Sequence, residues 1–502
     1  MRDYLSIILI FSVILILFYT GFSNRFKADD YAIAYVSKVS QIEPSYILTL
    51  DLGNFFRPVN RLLSLGLYSI LGLNHVGYNI IAVLLHFVNT VLVYYIAKRF
   101  ANSRIALISS LLFATLAVHF DSILFQSAGI ADSTIFTLFF LTSFISFIAW
   151  NDTKKKRYLV LSLIAFVLNL LTYEDSVVLP PLLLIYLWMF SKTDVRGVIR
   201  HAKILLLYMI PLIPYLVFQY LIQKSGHVVS IGIYRFGLHA FENLLSYFVS
   251  MSIVFPLIDI SYLSRMNLPQ FVHVTIPYVI ILTSLTVLLA FIYILFKGSR
   301  ESRFFILWYM ISILPFLFFT TPIQSRYTYA PSVGFCILVG MLLYNVYKIL
   351  SVNIGNTKAI SVLYVSAGIL MLANATGMML IENYKFNNGV SDESVMIDFM
   401  KSRHASFPDR SKVYFVNDSM PFRDLPLIMV MSLYYPDGIV EPRNLTVSYN
   451  QITITYTVYY PVNYTVYEIT RDEVPRVVKD NSTYIFDFIK TDYRPGKGVE
   501  LT

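Results

Sequence analysis

The chain has 502 residues, of which 57% are hydrophobic and 14% are charged, and its net charge is +9. A mean hydropathy of +0.64 excludes a soluble globular protein, because a soluble chain of this length needs far more polar surface to cover its core. The basic residues cluster in short loops between apolar runs, which is typical of topology determinants and argues against a nucleic-acid-binding face. The single cysteine, Cys336, excludes a disulfide framework and a cysteine-based metal site.

Repeated apolar runs of about 20 residues predict a polytopic α-helical membrane protein with about 11 transmembrane helices. We interpret the first run as a retained helix, since it is longer than the apolar part of a signal peptide and no small-x-small cleavage site precedes the polar loop. The predicted spans, in chain order, are Tyr4–Phe22, His75–Ala97, Arg104–Phe120, Asp132–Trp150, Arg157–Leu171, Ser176–Phe190, Ala202–Ile222, His273–Phe296, Phe304–Thr320, Pro331–Leu350 and Lys358–Leu380.

The basic loops indicate the orientation of these spans. With the N-terminus in the cytoplasm, the loops rich in lysine and arginine all fall on the cytoplasmic side, as the positive-inside rule requires. These loops are 98–104, 154–157, 192–203, 297–303 and 348–358.

Two further segments are predicted to stay on the outer side without crossing. Arg57–Leu71 is interpreted as an amphipathic surface helix and Phe241–Leu257 as a re-entrant or interfacial helix.

The character of the chain changes at Glu382, where charges and turn residues appear and the apolar segments shorten. We therefore divide the chain into a transmembrane domain over residues 1–381, with a first outer loop at 24–74, and a C-terminal domain over 382–502. Segments rich in Val, Ile, Thr and Tyr predict a small β-rich or α+β extracytoplasmic domain; they are KVYFV, LIMVMSLYY, LTVSYNQITITYTVYY, YTVYEIT and TYIFDFI. Four N-x-S/T sequons, at Asn417, Asn444, Asn463 and Asn481, fit an external location but support it only weakly.

On this topology an unusual set of polar side chains gathers at the outer helix ends, where a membrane protein keeps charges for function. The set is Asp29, Asp30, Arg57, His119, Asp121, Asp132, Glu174, Asp175, Arg326 and Tyr327, with His86 in mid-span.

Most of these residues also have a structural interpretation. The two acids of the first loop can cap a helix that starts at Tyr31, and the His119/Asp121 and Glu174/Asp175 pairs can be water-facing loop ends. His86 can be a packed histidine bonded to a neighbouring helix. An arginine on the outer side runs against the positive-inside bias, so Arg326 is better explained by an anionic partner.

Taken together, the polar set can carry out group transfer. A carboxylate beside a hydroxyl or amide can act as general base, and a buried arginine can hold a phosphate or pyrophosphate leaving group. The sequence contains no Walker A loop, HExxH, GxSxG or GxGxxG motif, which argues against energy from a soluble nucleotide.

Five short stretches resemble one known group, the GT-C fold polyprenyl-phosphate-sugar glycosyltransferases. Within that group they are similar to the membrane part of the transmembrane-and-TPR O-mannosyltransferases and their prokaryotic relatives. The stretches are ADD at 28–30, FRPVNRLLSLGLYSILGLNHVGYNIIAVLLHFVNTVLVY from 56, HFDSILFQSAGIADS at 119–133, YEDSVVLPPLLLIY at 173–186 and SRYTYAPSVGFCIL at 325–338. Phe120 replaces the family's proline, Tyr173 replaces its lysine, and the TPR tail is absent, which leaves the sugar and the acceptor open.

The resemblance implies an inverting transfer of a sugar, with mannose as one candidate, from a polyprenyl- or dolichyl-phosphate carrier to a protein, glycan or lipid acceptor on the outer face. It implies a first-loop acid as general base, with Asp30 preferred to Asp29. Side chains that would hold the donor phosphate are Arg326, Arg57 and Tyr327. Side chains that would line the sugar and acceptor pocket are His119, Asp121, Asp132, Glu174, Asp175 and His86.

Two other functions stay open on the sequence. A transporter or lipid flippase predicts paired discontinuous helices and internal symmetry, and no inverted repeat is visible in the sequence. A metal-dependent oligosaccharyl- or aminoarabinose-type transferase would use the acids to hold a divalent cation. The resemblance favours transfer without a metal or other cofactor.

Overall fold

The computed structural model describes residues 3–27, 29–48, 55–124, 129–190, 203–223, 232, 234–252, 282, 285–286, 288–320, 324–386, 392–408, 410–416, 425–435, 440–449, 452–461, 464–469, 471–477, 482–487 and 499–500. The membrane part consists of α-helices joined by short 3-10 turns. In chain order they are α1 (Asp3–Phe18), α2 (Asp29–Ile42), α3 (Pro58–Leu71), α4 (His75–Phe100), α5 (Ser103–Thr115), α6 (Phe120–Leu124), α7 (Phe136–Thr153), α8 (Lys156–Leu170), α9 (Leu179–Phe190), α10 (Leu206–Gln223), α11 (His239–Ser252), α12 (Leu288–Lys297), α13 (Arg300–Ile313), α14 (Pro331–Ile354) and α15 (Asn356–Phe386).

Six described helical stretches are each long and apolar enough to cross a membrane. A seventh is added if α5 and α6, which meet at an angle of 49°, form one bent span. The helical stretches are His75–Phe100, Ile130–Thr153, Lys203–Gln223, Arg300–Phe318, Pro331–Ile354 and Asn356–Glu382. The prediction of a polytopic helical membrane protein is therefore confirmed, and the number of spans stays a prediction. Every predicted span contains a described helix, although part of His273–Phe296 lies outside the described residues.

Local sequence explains where several helices begin. Pro58 is placed in the first turn of α3, where the missing N–H costs nothing. The side chain of Asn102 accepts hydrogen bonds from the backbone N–H groups of Arg104 and Ile105 and so caps α5. The predicted helix Arg57–Leu71 is thus present as α3, and its position at the outer surface stays a prediction. The predicted helix Phe241–Leu257 is described as α11 up to Ser252, and its position relative to the membrane stays a prediction.

A π-helical turn, Ile130–Ile135, leads directly into α7. Such turns are rare and occur frequently at functional sites. Gly129 precedes it, and a Cβ there would lie 2.6 Å from the carbonyl oxygen of Ser122, so only glycine fits at this approach to α6. This close contact fixes the π-helical turn, which carries Asp132.

The core of the bundle is built from aromatic rings where α4, α7, α9 and α13 meet. Trp308 is fully buried, contacts Phe144 edge-to-face at 4.8 Å, and donates from Nε1 to the carbonyl of Ala330 at 3.2 Å. Gly334 allows α14 to approach α13, because a Cβ there would lie 2.6 Å from the Phe305 carbonyl oxygen. This packing positions the segment just before α14.

Two ion pairs mark one end of the bundle. Lys98 at the end of α4 contacts Asp3 at the start of α1 at 2.6 Å, and Arg99 contacts Asp152 near the end of α7 at 2.8 Å. Since α1 runs away from this end, Asp29 and the first loop lie at the opposite end of the bundle.

The C-terminal part contains α16 (Asp392–Arg403), α17 (Leu425–Tyr434) and two sheets. The strands are β1 (Ser411–Val416), β2 (Val440–Tyr449), β3 (Ile452–Pro461), β4 (Tyr464–Ile469), β5 (Thr483–Asp487) and β6 (Val499–Glu500). One sheet has the order β4-β1-β5-β6, in which β1 is parallel to β4 and β5 while β6 is antiparallel to β5. The second sheet is the antiparallel pair β2 and β3.

This arrangement confirms a small C-terminal α+β unit with one correction. LIMVMSLYY forms the helix α17, so the strand predicted there is wrong. An apolar run of this length occurs both in strands and in buried helices, and hydrophobic periodicity cannot distinguish the two. Asn444 lies in β2, and the other three sequons lie outside the described residues. The domain boundary at 381/382 stays a prediction, because α15 runs through it.

Candidate active site

A cavity of about 320 Å³ opens at the end of the bundle that carries the first loop. The walls come from α2, the start of α3, the π-helical turn before α7, and the residues Tyr173, Glu174, Phe319, Arg326 and Tyr327. Six of the polar residues predicted from the sequence line it: Asp29, Arg57, Asp132, Glu174, Arg326 and Tyr327. The structure therefore brings together parts of the chain that are about 300 residues apart, as 29 and 326 are.

One wall is an ion-pair network around Arg57. Its Nε donates to Glu174 Oε2 at 2.8 Å, and its Nη1 lies 3.6 Å from Asp132 Oδ2. The guanidinium also stacks on Tyr173 at 4.3 Å, and Asn60 donates to Asp132 Oδ1 at 2.5 Å. A half-buried arginine between two carboxylates is neutralised locally, so Arg57 mainly holds this wall together.

The facing wall carries a more open pair. Arg326 Nη1 lies 3.5 Å from Asp29 Oδ2, and the Asp29 side chain is 61% exposed. Arg326 Nε is buried and has no hydrogen-bond partner among the described residues. Tyr327 beside it stacks on Phe316 with ring centroids 4.2 Å apart. An arginine with donor capacity left, next to an accessible carboxylate, can bind an anion and accept a proton in the same place.

The two acids of the first loop lie on different faces of α2. Asp29 faces the cavity, whereas Asp30 is fully buried and its Oδ2 accepts from the backbone N–H of Lys27 at 3.0 Å. Asp30 lines a small neighbouring pocket with Phe26 and Tyr78, and Ser37 and Ser64 line both this pocket and the cavity. Consecutive residues of a helix point about 100° apart, so the two acids have different surroundings. Asp29 lines the main cavity, and the preference for Asp30 as the base stays a prediction.

The entry to α2 is fixed by side chains from distant helices. Asn79 donates to the carbonyl oxygens of Phe22 at 3.1 Å and of Asn24 at 2.9 Å. Glu382, at the end of α15, accepts from Asn24 Nδ2 at 3.1 Å and from Thr20 Oγ1 at 3.0 Å. These bonds hold residues 20–24, which lead into α2, against α4 and α15.

The C-terminal part braces the opposite side of α2. Lys38 donates to the carbonyl oxygen of Ser432 in α17 at 2.6 Å, and the rings of Tyr31 and Tyr434 meet edge-to-face. The helix that carries Asp29 therefore packs between the cavity and the C-terminal part.

A smaller inner chamber adjoins the main cavity and shares Asp132, Tyr173, Arg326 and Tyr327 with it. Asp175 lines this chamber and is 5% exposed. Burial, followed by the neighbouring charge of Glu174, raises the pKa of the Asp175 carboxyl well above its usual range, although Arg57 opposes this effect. Asp175 thus belongs to the site, in a position where its neutral form is favoured.

His86, His119 and Asp121 do not line either cavity. His86 Nδ1 lies 2.7 Å from the hydroxyl of Tyr329, and His119 Nε2 lies 2.8 Å from Ser332 Oγ. Asp121 accepts a hydrogen bond from Ser325 Oγ. All three therefore contact the segment that carries Arg326, and their placement favours support of that segment over contact with a sugar or an acceptor.

Sequence reasoning missed several residues of the cavity. Asn60 and Arg61 line it, and they follow Arg57 at the i+3 and i+4 positions. This spacing on a helix puts all three on one face and is the signal that could have found them. Ser133, Thr137 and Ser312 line the inner chamber but carry no motif that marks them.

Within the described residues, no group of three or more His, Cys, Asp or Glu is arranged to hold a metal ion. The carboxylates of Asp132 and Glu174 both turn toward Arg57. Their geometry fits an arginine-centred network.

Residues 58–218 match the sequence family described as dolichyl-phosphate-mannose-protein mannosyltransferase. Among curated proteins, none matches the sequence at a significant level.

Among solved structures, ArnT from Cupriavidus metallidurans is similar in its apo state, with a TM-score of 0.51 and 11% identity over 87% of this chain and 85% of ArnT. The same enzyme bound to undecaprenyl phosphate gives a TM-score of 0.51 and 12% identity over 86% of this chain and 84% of ArnT. At these identities the likeness shows the fold. The chain therefore shares the fold of ArnT, and its residues 58–218, from α3 into α10, are similar to a glycosyltransferase family.

Proposed function

We propose that the protein transfers a sugar, with inversion, from a polyprenyl- or dolichyl-phosphate carrier to an acceptor at the outer face of the membrane. The observation that carries the proposal is the Asp29–Arg326 pair, which lines a large cavity at one end of an apolar bundle. A base and an anion-binding group side by side, next to a lipid phase, are what this reaction requires.

The proposed reaction is a single displacement. Asp29 takes the proton of the acceptor nucleophile, which attacks the anomeric carbon from the face opposite the carrier. The bond between the anomeric carbon and the carrier phosphate oxygen breaks, and its electron pair leaves with the lipid phosphate. Attack opposite the leaving group inverts the anomeric configuration.

Arg326 is proposed to hold the leaving phosphate. It carries a permanent charge in a partly buried position, where a charge-assisted hydrogen bond to an oxyanion is stronger than in water. Tyr327 is proposed to assist from the same turn. Arg57 is already held by Glu174 and Asp132, so we assign it to the sugar-facing wall and not to the phosphate.

The nature of the donor is supported by the relatives. The matching family is described by its dolichyl-phosphate-mannose donor, and a solved ArnT structure contains undecaprenyl phosphate. We therefore propose a polyprenyl-type phosphate carrier, with mannose as the first sugar to test. The positive-inside pattern of the loops supports an outer location for the cavity and the C-terminal part.

The two adjacent acids provide a matched test of the base. The purified enzyme is assayed for transfer from polyprenyl-phosphate hexoses, with a mixture of peptide, glycan and lipid acceptors. Asp29→Asn is expected to lower kcat about 10²–10⁴-fold, because the general base is lost. Asp30→Asn keeps an oxygen for the Lys27 N–H and is expected to keep most of the activity. Full activity in Asp29→Asn, with loss in Asp30→Asn, would reverse the assignment.

A further inference from the structure

The inner chamber is narrow and adjoins the main cavity. Its volume of about 10 Å³ leaves room for roughly one water-sized group. Asp132, Tyr173, Arg326 and Tyr327 line both spaces, so the chamber begins beside the proposed phosphate site. A pyranose ring is too large for the chamber, whereas one substituent of such a ring fits.

Three buried polar atoms of the chamber residues have no hydrogen-bond partner among the described residues. They are Thr137 Oγ1, Ser312 Oγ and Arg326 Nε. Thr137 is fully buried and Ser312 is 2% exposed. Buried polar atoms in native proteins are paired with protein, water or ligand, so a cluster of three at one chamber indicates a polar occupant.

A neighbouring threonine shows that the open hydroxyl is not imposed by the helix. Thr134 is also fully buried, one turn before Thr137, and its Oγ1 donates to the carbonyl oxygen of Ile130 at 2.8 Å. Thr134 does not line the chamber. The threonine that faces the chamber is the one left without a partner.

The charges of the chamber select the kind of occupant. Arg326 Nε is a donor and requires an acceptor, which an ammonium group cannot supply. The carboxylate of Asp132 disfavours a second anion such as a phosphate. A hydroxyl group both donates and accepts, and it satisfies Thr137, Ser312 and Arg326 without a net charge.

We propose that the inner chamber binds the hydroxymethyl group of the donor sugar while the sugar ring lies in the main cavity between Tyr173 and Tyr327. This rests on the proposed function. The hydroxymethyl group projects from a hexopyranose ring on one flexible bond and ends in one hydroxyl. Thr137 and Ser312 are then the residues that distinguish a hexose from a 6-deoxyhexose or a pentose.

The test compares polyprenyl-phosphate donors that differ only at this position: a hexose, its 6-deoxy analogue and the corresponding pentose. The wild-type enzyme is expected to prefer the hexose by about 10²-fold or more in kcat/KM, because a site built around a hydroxyl rejects the analogue that lacks it. Thr137→Val and Ser312→Ala are each expected to reduce that preference about 10-fold by slowing the hexose while leaving the 6-deoxy donor unchanged. Thr134→Val is the matched control and is expected to keep the wild-type preference.

The results separate the two proposals. A wild-type enzyme that transfers all three sugars equally well overturns the chamber assignment and leaves the transferase proposal standing. Variants at Thr137 and Ser312 that slow all donors by the same factor also overturn it. A wild-type enzyme that is inactive with every lipid-phosphate sugar overturns the proposed function itself. The donor preference of the wild-type enzyme is measured without any variant. The melting temperature of each variant is checked before its donor preference is compared with that of the wild type.

Discussion

Two of the three described arginines that line the cavity have contrasting surroundings. Arg57 lies between two carboxylates and two aromatic rings, in a network that satisfies its charge within the protein. Arg326 has one carboxylate at 3.5 Å and a buried Nε without a partner in the described part of the chain. An arginine that is already paired stabilises a wall, whereas one with donor capacity left can bind a charged ligand.

The largest effect is expected at the open arginine. Arg326→Gln removes the charge that stabilises the leaving phosphate and is expected to lower kcat/KM about 10³-fold, with the fold retained. Arg326→Lys keeps a charge but not the fork of donors, so it is expected to recover only part of the loss. Initial rates with a saturating acceptor measure the effect. Equal losses in Arg326→Gln and Arg57→Gln would remove the distinction between the two arginines.

The main effect of replacing Arg57 is expected on the stability of the protein. Arg57→Gln leaves Glu174 and Asp132 facing each other without their cation, and we expect it to reduce the free energy of unfolding by about 2 kcal/mol. The double variant Arg57→Gln/Glu174→Gln is expected to be more stable than the single one, because the uncompensated carboxylate is removed. Thermal melts in detergent of the wild type, the two single variants and the double variant form a double-mutant cycle. A double variant whose loss is the sum of the two single losses would show that the pair is not coupled.

Tyr329 connects the Arg326 segment to the bundle core. Tyr329→Phe removes the hydroxyl that meets His86 at 2.7 Å and is expected to reduce the free energy of unfolding by about 1 kcal/mol. The rate of sugar transfer is expected to fall by a few-fold, because the substitution removes one contact that supports the Arg326 segment and removes no reacting group. Ser332→Ala, which removes the partner of His119, is the companion variant. A loss of activity as large as in Arg326→Gln would place Tyr329 in direct contact with the substrate.

The smallest effect concerns Asp175 and depends on pH. The raised pKa of its carboxyl means that the folded protein favours the neutral form. Its contribution to stability is complete below the ordinary aspartate range near pH 4 and is lost as the pH rises toward the raised folded value. Asp175→Asn stays neutral and is expected to melt at a higher temperature than the wild type at pH 7 to 8, with no difference near pH 4. A difference in melting temperature between Asp175→Asn and the wild type that is the same at every pH would contradict a buried neutral carboxyl.

The helical architecture and much of the cavity could be predicted from the sequence. The apolar runs locate the helices because a membrane leaves few other structures to a spanning segment. Asp29, Arg57, Asp132, Glu174 and Arg326 could be named because charges at helix ends in an apolar chain are rare and conspicuous.

What the sequence leaves open depends on information that periodicity does not contain. The choice between Asp29 and Asp30 needs the rotation of α2 about its axis, which α17 and the first-loop hydrogen bonds set from far along the chain. His86 and His119 are conspicuous in the sequence for the same reason as Asp29, yet tertiary packing buries them completely. Thr137 and Ser312 are inconspicuous in the sequence because serine and threonine are common in membrane helices, and only the shape of the chamber distinguishes them.

The most direct measurement is the affinity of the purified protein for a polyprenyl phosphate, the carrier that remains after transfer, in the wild type, Arg326→Gln and Arg57→Gln. If Arg326 holds the phosphate and Arg57 holds the wall, the Arg326 variant is expected to bind at least about 10-fold more weakly, which is about 1.4 kcal/mol. The Arg57 variant, measured at a temperature where it is folded, is expected to stay within a few-fold of the wild type. Unchanged affinity in Arg326→Gln, or a larger loss in Arg57→Gln, would contradict the assignment of the phosphate site.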